Sequence, residues 1–415
     1  MFYNKNGDNM ERQILHVDVN NAFLSWTAIE MLSLGEKLDI RTIPAIIGGD
    51  EATRHGVVLA KSIKAKQFGI RTGESVYQAR RKCPNIQVFR GNFDNYKKHS
   101  NELYNLLLEY TDKIERFSID ECFMDLTLFL RKDEKLIDKA YEISKKVKEE
   151  LGFTVNVGVS NNKLLAKMAS DFEKPDKVHT LFKDEIQYKM WNLPAEELFM
   201  VGKKSISKLS QLGIKTIGDI AKYDKNMLIK KFGKHGRIMW EYANGIDESE
   251  VTYEQEIPKG IGNSSTLPED IYNINKLNEI LLALTEQVGF RLRKYKLLAS
   301  VVNIQIRTKD FANFSHQRKL DKPTNITKKL YETAKKLLEE LHKNRGIRLI
   351  GIRVDKLISE NEVQISLFDT NNSKKQEKLD KVMDDLKKKY GYEKITRAGE
   401  MKVKDMINIR EEKGE

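Results

Sequence analysis

Cysteine is nearly absent from this chain: Cys83 and Cys122 are the only two in 415 residues. They stand far apart, outside any CxxC pair or Cys/His cluster. That argues against both a disulfide framework and a structural zinc site and leaves each as a core thiol. No apolar run approaches the ~20 residues that span a bilayer. Residues Met1 to Gln13 are polar and mixed in charge, unlike a secretory leader. The expectation is a cytoplasmic protein with no membrane attachment. A Walker A loop is missing too: Val201-Gly202-Lys203-Lys204-Ser205 has the closing residues of one, but no Gly precedes it at the required distance. Acidic residues are in the minority, 61 against 73 Lys and Arg, giving a net charge of +12 and a pI near 9.2. Such a balance favours a polyanionic partner, nucleic acid first.

What the chain does contain is organised around Phe117-Ser118-Ile119-Asp120-Glu121-Cys122-Phe123-Met124-Asp125-Leu126. Apolar residues alternate on either side of the two acids, as in a half-buried hairpin or one bent strand. Adjacent carboxylates about 4 Å apart repel by roughly 4 kcal/mol at an effective dielectric near 20, so a fold that gathers them usually brings in a cation. Taken alone, the pair reads equally as an acidic hairpin turn. A third carboxylate comes from Ile14-Leu15-His16-Val17-Asp18-Val19, a short apolar strand followed by Asn20-Asn21 and a helical run, Ala22 to Leu34. An Asp at a strand's C-terminal end lies where such sheets present ligands, and the carbonyl of Val19 is a hard oxygen beside it. Asp18 could also serve as a helix N-cap.

The length suggests about three domains. Strand, helix, hairpin, helix (Ile137 to Leu151) and strand (Thr154 to Val159) follow one another in a βαββαβ-like order. Asp18, Asp120 and Glu121 then converge on one edge of an antiparallel sheet. Between the first helix and the hairpin lies an insertion with strands Thr42 to Ile47 and Gly56 to Ala60, a basic run Lys61 to Lys66, and helices Glu74 to Lys82 and Asn92 to Tyr110. Of Lys61, Lys64 and Lys66, at most two can grip one phosphate. Its turn Gly48-Gly49-Asp50-Glu51 is similar to the GGDE part of cyclic-dinucleotide synthases. It lacks their following aromatic, having Ala52, and is also ordinary hairpin chemistry. Trp191 to Gly245 reads as short helices. There Gly202, Lys203 and Lys204 fit a helix-hairpin-helix that meets phosphates without reading sequence, with Met200 in place of the usual first Gly. Phe232 to Gly236 offers a second copy, and a plain helical bundle is the alternative.

Past a linker at Ile257 to Gly262, an α+β module carries strands from Ser264 to Leu357, two long helices, and the basic run Arg291-Leu292-Arg293-Lys294. Its sheet could follow a duplex backbone. The tail from Ile358 contains Gln364-Ile365-Ser366-Leu367-Phe368, a short apolar anchor typical of partner-docking peptides. Lys374 to Tyr390 reads either as an isolated helix or as a disordered linker.

Together these residues resemble the Y family, the translesion DNA polymerases, and in particular their bacterial DNA polymerase IV type. His16-Val17-Asp18-Val19-Asn20-Asn21-Ala22-Phe23 resembles the family's first catalytic motif and Ser118-Ile119-Asp120-Glu121 its second. The resemblance implies two Mg2+ ions held by Asp18, Asp120, Glu121 and the Val19 carbonyl, with Phe23 as the steric gate against a ribose 2′-OH. It implies nucleotide contacts from Asn21, Ala22, Phe23, Lys66 and Lys174, and DNA contacts from Gly202, Lys203, Lys204 and Arg293. Gly158 to Lys163 and Lys174-Pro175 match later motifs of the catalytic domain. Where the family often has Tyr and Arg over the triphosphate, this chain has Ile63 and Lys66, a point charge in place of a bidentate fork. The peptide with Gln364, Leu367 and Phe368 resembles the pentapeptide that binds the bacterial sliding clamp.

The implied fold is an α+β right hand. Residues 1–25 and 92–181 form a ferredoxin-like palm, 26–91 the fingers, 182–256 a helix-hairpin-helix thumb, 257–357 the little finger, and 358–415 a tail. The implied protein is monomeric and acts on primer-template DNA and deoxynucleoside triphosphates with low fidelity in damage tolerance. Two other classes stay open on the residues alone: a palm-type nucleotidyl cyclase, and a non-catalytic DNA-binding scaffold.

Overall fold

The computed structural model describes residues 11–49, 56–131, 133–253, 257–362, 371–391, 394–397 and 403. They fall into two compact units, Met1–Gly49 with Val57–Gln255, and Asp50–Gly56 with Glu256–Glu415.

In the first unit, β1 (Ile14–Val19) is buried at every position, as its unbroken apolar run requires. Asn21 takes the left-handed φ of 49° that Asn tolerates. The chain thereby turns at once into α1 (Ala22–Ser33). The insertion forms a three-stranded sheet from β2 (Ala45–Gly48), β3 (Val58–Lys61) and β4 (Gln87–Phe89), ordered β3-β2-β4. Thr42, expected in a strand, belongs instead to a 3-10 turn, Ile40–Thr42, nucleated by the Asp39 cap. Helix α2 (Ile63–Gln67) and helix α3 (Val76–Lys82), with its Ser75/Gln78 capping box, cover this sheet's core. Asp50 and Glu51 of the GGDE-like turn lie outside the described residues.

Helix α4 (Phe93–Leu107) leads back to the hairpin of β5 (Ile114–Arg116) and β6 (Glu121–Asp125). The bent-strand alternative is thereby resolved. Then come α5 (Leu136–Leu151), stopped by Gly152 at φ 75°, β7 (Val155–Ser160), α6 (Lys163–Ser170) and β8 (Val178–Thr180). The sheet order is β5-β6-β1-β7-β8. Its first four strands are the ferredoxin-like βαββαβ set. β8 pairs parallel with β7; it is three half-buried residues long and leaves no alternation to read.

The unit ends in short helices, α7 (Ile186–Lys189), α8 (Lys203–Ser210), α9 (Ile217–Lys222), α10 (Lys225–Phe232) and α11 (Lys234–Ala243). They share one apolar cluster with Leu164, Leu165 and Met168 of α6. Met200 does adopt a glycine-like φ of 69°. Gly233, at φ 63°, alone joins α10 to α11.

The second unit is an antiparallel sheet, β11-β10-β12-β9. Its strands are β9 (Gly260–Ile271), β10 (Leu297–Thr308), β11 (Asn313–Thr324) and β12 (Ile347–Ser359). Helices α12 (Ile274–Lys294) and α13 (Thr327–His342) pack on the sheet through a core that includes Leu281, Leu284, Leu337 and Leu338. The expected linker is shorter than its composition suggested, because Gly260 and Gly262 already belong to β9. A Cβ on Gly260 would come within 2.3 Å of Asp355 on the neighbouring strand.

The tail forms α14 (Asn371–Tyr390), bound to this unit by ionic contacts. Arg293 of α12 meets Asp384 at 2.6 Å and Asp380 at 3.5 Å, and it donates to the Asn325 carbonyl at 2.9 Å. Glu286 of α12 accepts from Lys387 at 2.5 Å and from Arg397, which also meets Asp380 at 2.7 Å. Arg293 was expected to face DNA. Its guanidinium is instead spent on two tail carboxylates, and that expectation is corrected.

Candidate active site

Alternation along β1 and β6 sends Ile14, His16 and Asp18 to one sheet face with Glu121 and Phe123, and Leu15, Val17 and Val19 to the other. Asp18 stands directly opposite Glu121 in the antiparallel register, where same-face side chains are nearest neighbours. The Val19 N–H donates to the Asp120 carbonyl at 3.0 Å. The end of β1 is thus pinned to the bend that carries the acidic pair. Asp18 is buried; Asp120 and Glu121 are half-buried. The Asp120 carboxylate accepts from the Ser118 hydroxyl at 2.6 Å.

Helix α6 lies on the same face. It can approach because Gly158 of β7 has no side chain: a Cβ there would sit 1.8 Å from the Ala166 carbonyl and 2.6 Å from the Ser170 nitrogen. This close contact delivers Lys167, whose Nζ is 2.9 Å from Glu121, 3.3 Å from Asp18 and 3.2 Å from Asp171. Lys174, just beyond α6, meets Asp18 and Asp171 at 2.9 Å each.

Burial pushes the Glu121 carboxyl above its ordinary range; Lys167 partly offsets this, and the charges of Asp18 and Asp120 add to it. Burial works against the ammonium charges of Lys167 and Lys174, but Asp18 and Asp171 reverse the effect and hold both firmly protonated. Buried His16 is driven well below its ordinary value by desolvation and then by the neighbouring lysines, so it is neutral. Its Nδ1 lies 2.8 Å from the Ser170 hydroxyl. That hydroxyl already donates to the Lys167 carbonyl, so it receives the His16 proton.

The donors gathered here are hard oxygens, the set that suits magnesium, manganese or calcium. Cations already stand on two of the carboxylates in the form of lysine ammonium groups, and the residues therefore fit a divalent ion. Among the described residues no three His, Cys, Asp or Glu side chains form a ready-made cage. The lysines hold Asp18 and Glu121 while Asp120 turns to Ser118.

Phe23, on the first turn of α1, stacks on Tyr96 of α4 with ring centroids 4.6 Å apart and planes at 14°. Phe93 closes on it edge-on at 6.0 Å. Before it, Asn21 is exposed and Ala22 buried.

The impB/mucB/samB family model matches residues 17–171, and the model of that family's C-terminal domain matches 258–367. The DNA polymerase IV of Clostridium acetobutylicum is 51% identical over 94% of this chain and 98% of its own length. The chain belongs to the Y family of DNA polymerases. This Y-family polymerase is also 38% identical to the DNA polymerase IV of Acetivibrio thermocellus over 94% of this chain and 97% of that one. A solved Y-family DNA polymerase chimera shares the fold at TM-score 0.73 and 24% identity, over 84% of this chain and 99% of the other. Membership makes the protein a translesion, DNA-directed DNA polymerase that uses DNA and nucleotides and depends on divalent metal. The cyclase and scaffold alternatives are not favoured.

Two residues of the polymerase site escaped sequence reading. Lys167 sits in an amphipathic helix where a lysine reads as surface. Tyr96 lies within the helix expected over Asn92 to Tyr110; its i, i+3 spacing from Phe93, which places both rings on one face, was the available signal. Lys66 is exposed on α2 beside Lys61, whose ammonium is destabilised first by burial and then by Lys66. Gly202 caps α8, with Lys203 and Lys204 exposed on its first turn. Gln364, Leu367 and Phe368 lie outside the described residues. No helix among the described residues is long and apolar enough to cross a membrane.

Proposed function

We propose that the polymerase joins a deoxynucleotide to a primer 3′-hydroxyl by two-metal transfer, with two Mg2+ held by Asp18, Asp120, Glu121 and the Val19 carbonyl. The observation that carries this reading is the register of Asp18 opposite Glu121 with Val19 bonded to the Asp120 backbone. When bound, the ions lower the pKa of the attacking hydroxyl and neutralise charge on the triphosphate. The protein's own part is positioning. Asp120, free of any lysine in the ion pairs described above, is the bridging candidate. Glu121 is the ligand nearest the primer end and must first part from Lys167. Lys174 turns from Asp18 toward the triphosphate, with Lys66 as a second point charge and the backbone of Asn21 and Ala22 beneath it. Phe23, pressed from behind by Tyr96, acts as a steric gate to the sugar.

The palm is assigned to 1–25 and 92–181, the fingers to 26–91, the thumb to 182–256, the little finger to 257–357 and the tail to 358–415. The palm–fingers border cuts α1 and is a matter of convention. The N-terminus of α8, with Gly202, Lys203 and Lys204, is assigned to backbone phosphates. The sheet face of the second unit that bears Gln305, Arg307 and Arg353 is assigned the role first given to Arg293. Gln364, Leu367 and Phe368 are assigned to a bacterial sliding clamp, and the enzyme to the cytoplasm as a monomer.

Magnesium-dependent extension of a primer on a gapped template tests the assignment. Asp120→Ala should abolish it, and equal activity in the variant would sink the proposed site.

A further inference from the structure

Lys167 has no role in the site as assigned so far, yet it is its most enclosed cation. Its side chain is 8% exposed, and its ammonium bridges Asp18 and Glu121 at 3.3 and 2.9 Å, with Asp171 at 3.2 Å behind it. It is not held by chance. Asn162 caps α6 through the Leu165 N–H at 2.8 Å, and Ser170 closes the helix's far end onto His16. The bare Cα of Gly158 sets the helix against the strand beneath. Each support fixes the backbone from which Lys167 reaches. Without a cation between them, Asp18 and Glu121, directly opposite each other in the strand register, would repel.

We infer that Lys167 is a positioning residue that stands in for metal: it holds Asp18 and Glu121 converged in the DNA-free enzyme and competes with the divalent ion for them. The inference rests on the assignment of these acids as metal ligands. Lys167 then sets two properties in opposite directions. It stabilises the metal-free palm and weakens metal binding to it, so that Glu121 is released only when the full set of ligands arrives.

The test is Mn2+ binding to the full-length, DNA-free protein, followed by the loss of the free-ion EPR signal, together with thermal melting in EDTA and in Mn2+. Lys167→Met should bind Mn2+ about tenfold tighter or more, the effect of removing one close positive charge. It should also melt earlier in EDTA and recover in Mn2+. Lys167→Arg, which keeps the charge, should stay within about threefold of wild type. Lys167→Gln serves if the Met variant fails to fold. Unchanged Mn2+ affinity in the neutral variants would leave only a structural ion pair and overturn the inference, while the metal-site reading would stand. Undiminished binding in Asp18→Ala would remove that reading, and the inference with it.

Discussion

Replacing Gly158 by Ala asks how rigidly α6 is set against the sheet. The added methyl would stand 1.8 Å from the Ala166 carbonyl oxygen and 2.6 Å from the Ser170 nitrogen. Both obstacles are backbone, so no rotamer relieves them and the helix must back away by more than about 1 Å. Overpacking of this kind costs about 1–3 kcal/mol. The displacement also draws Lys167 from Glu121, now 2.9 Å away, and disturbs Lys174 just past the helix. A shift of about 1 Å in positioning groups can cost on the order of a hundredfold in rate. Steady-state primer extension should therefore show kcat/KM down by about a hundredfold, with a melting temperature lower by several degrees. A variant that melts and extends like wild type would refute the claim that this contact places the lysines.

Phe23→Ala should lower the preference for deoxy- over ribonucleotides by about ten- to a hundredfold, the worth of relieving a 1–3 kcal/mol clash; single-nucleotide insertion with dCTP and CTP measures it, and an unchanged ratio rejects the gate. Glu286→Gln should loosen α14 by removing the carboxylate that Lys387 and Arg397 share, a loss of about 1–3 kcal/mol, seen as faster amide exchange over residues 375–390. For the wild type, burial raises the Glu286 carboxyl but Lys387 and Arg397 more than reverse this, leaving it below the ordinary 4.5. Its contribution to docking is thus complete above the ordinary carboxylate range and lost as pH falls through the depressed folded value. Protection factors of the tail amides, which divide out the intrinsic pH dependence of exchange, should be flat from pH 7 to about 5 and fall below that range; an early fall near neutrality would contradict the assignment.

Much of the palm was legible because its signals are local. The apolar run ending in Asp18 and the alternation around Asp120 and Glu121 encode strands, and strand register does the rest. Lys167 was hidden because an inward lysine and a solvated one look alike until the carboxylates that face it are placed. Arg293 misled for the same reason: a basic helix end reads as a nucleic-acid surface, and the acids that neutralise it lie in the tail. The inner face of α14 includes Asp380, Asp384 and Lys387, while Leu379 and Val382 face outward, 44% and 55% exposed. Hydrophobic periodicity alone would have turned that helix the wrong way round. The thumb's turn carries Met200 where a glycine is usual, and Met200 bears the left-handed conformation without it.

The docked tail helix also changes the mechanics of what precedes it. Glu360 is fastened through its N–H to the Lys296 carbonyl at 2.9 Å and through its carboxylate to Asn325. Resumption of the chain at α14 is fastened through Arg293. The end of the last strand and the tail helix are thus both fastened to the same unit, one through Glu360 and the other through Arg293. A pull on the tail helix falls on the ionic seam along α12, where Arg293 and Glu286 are the stitches that bear the load.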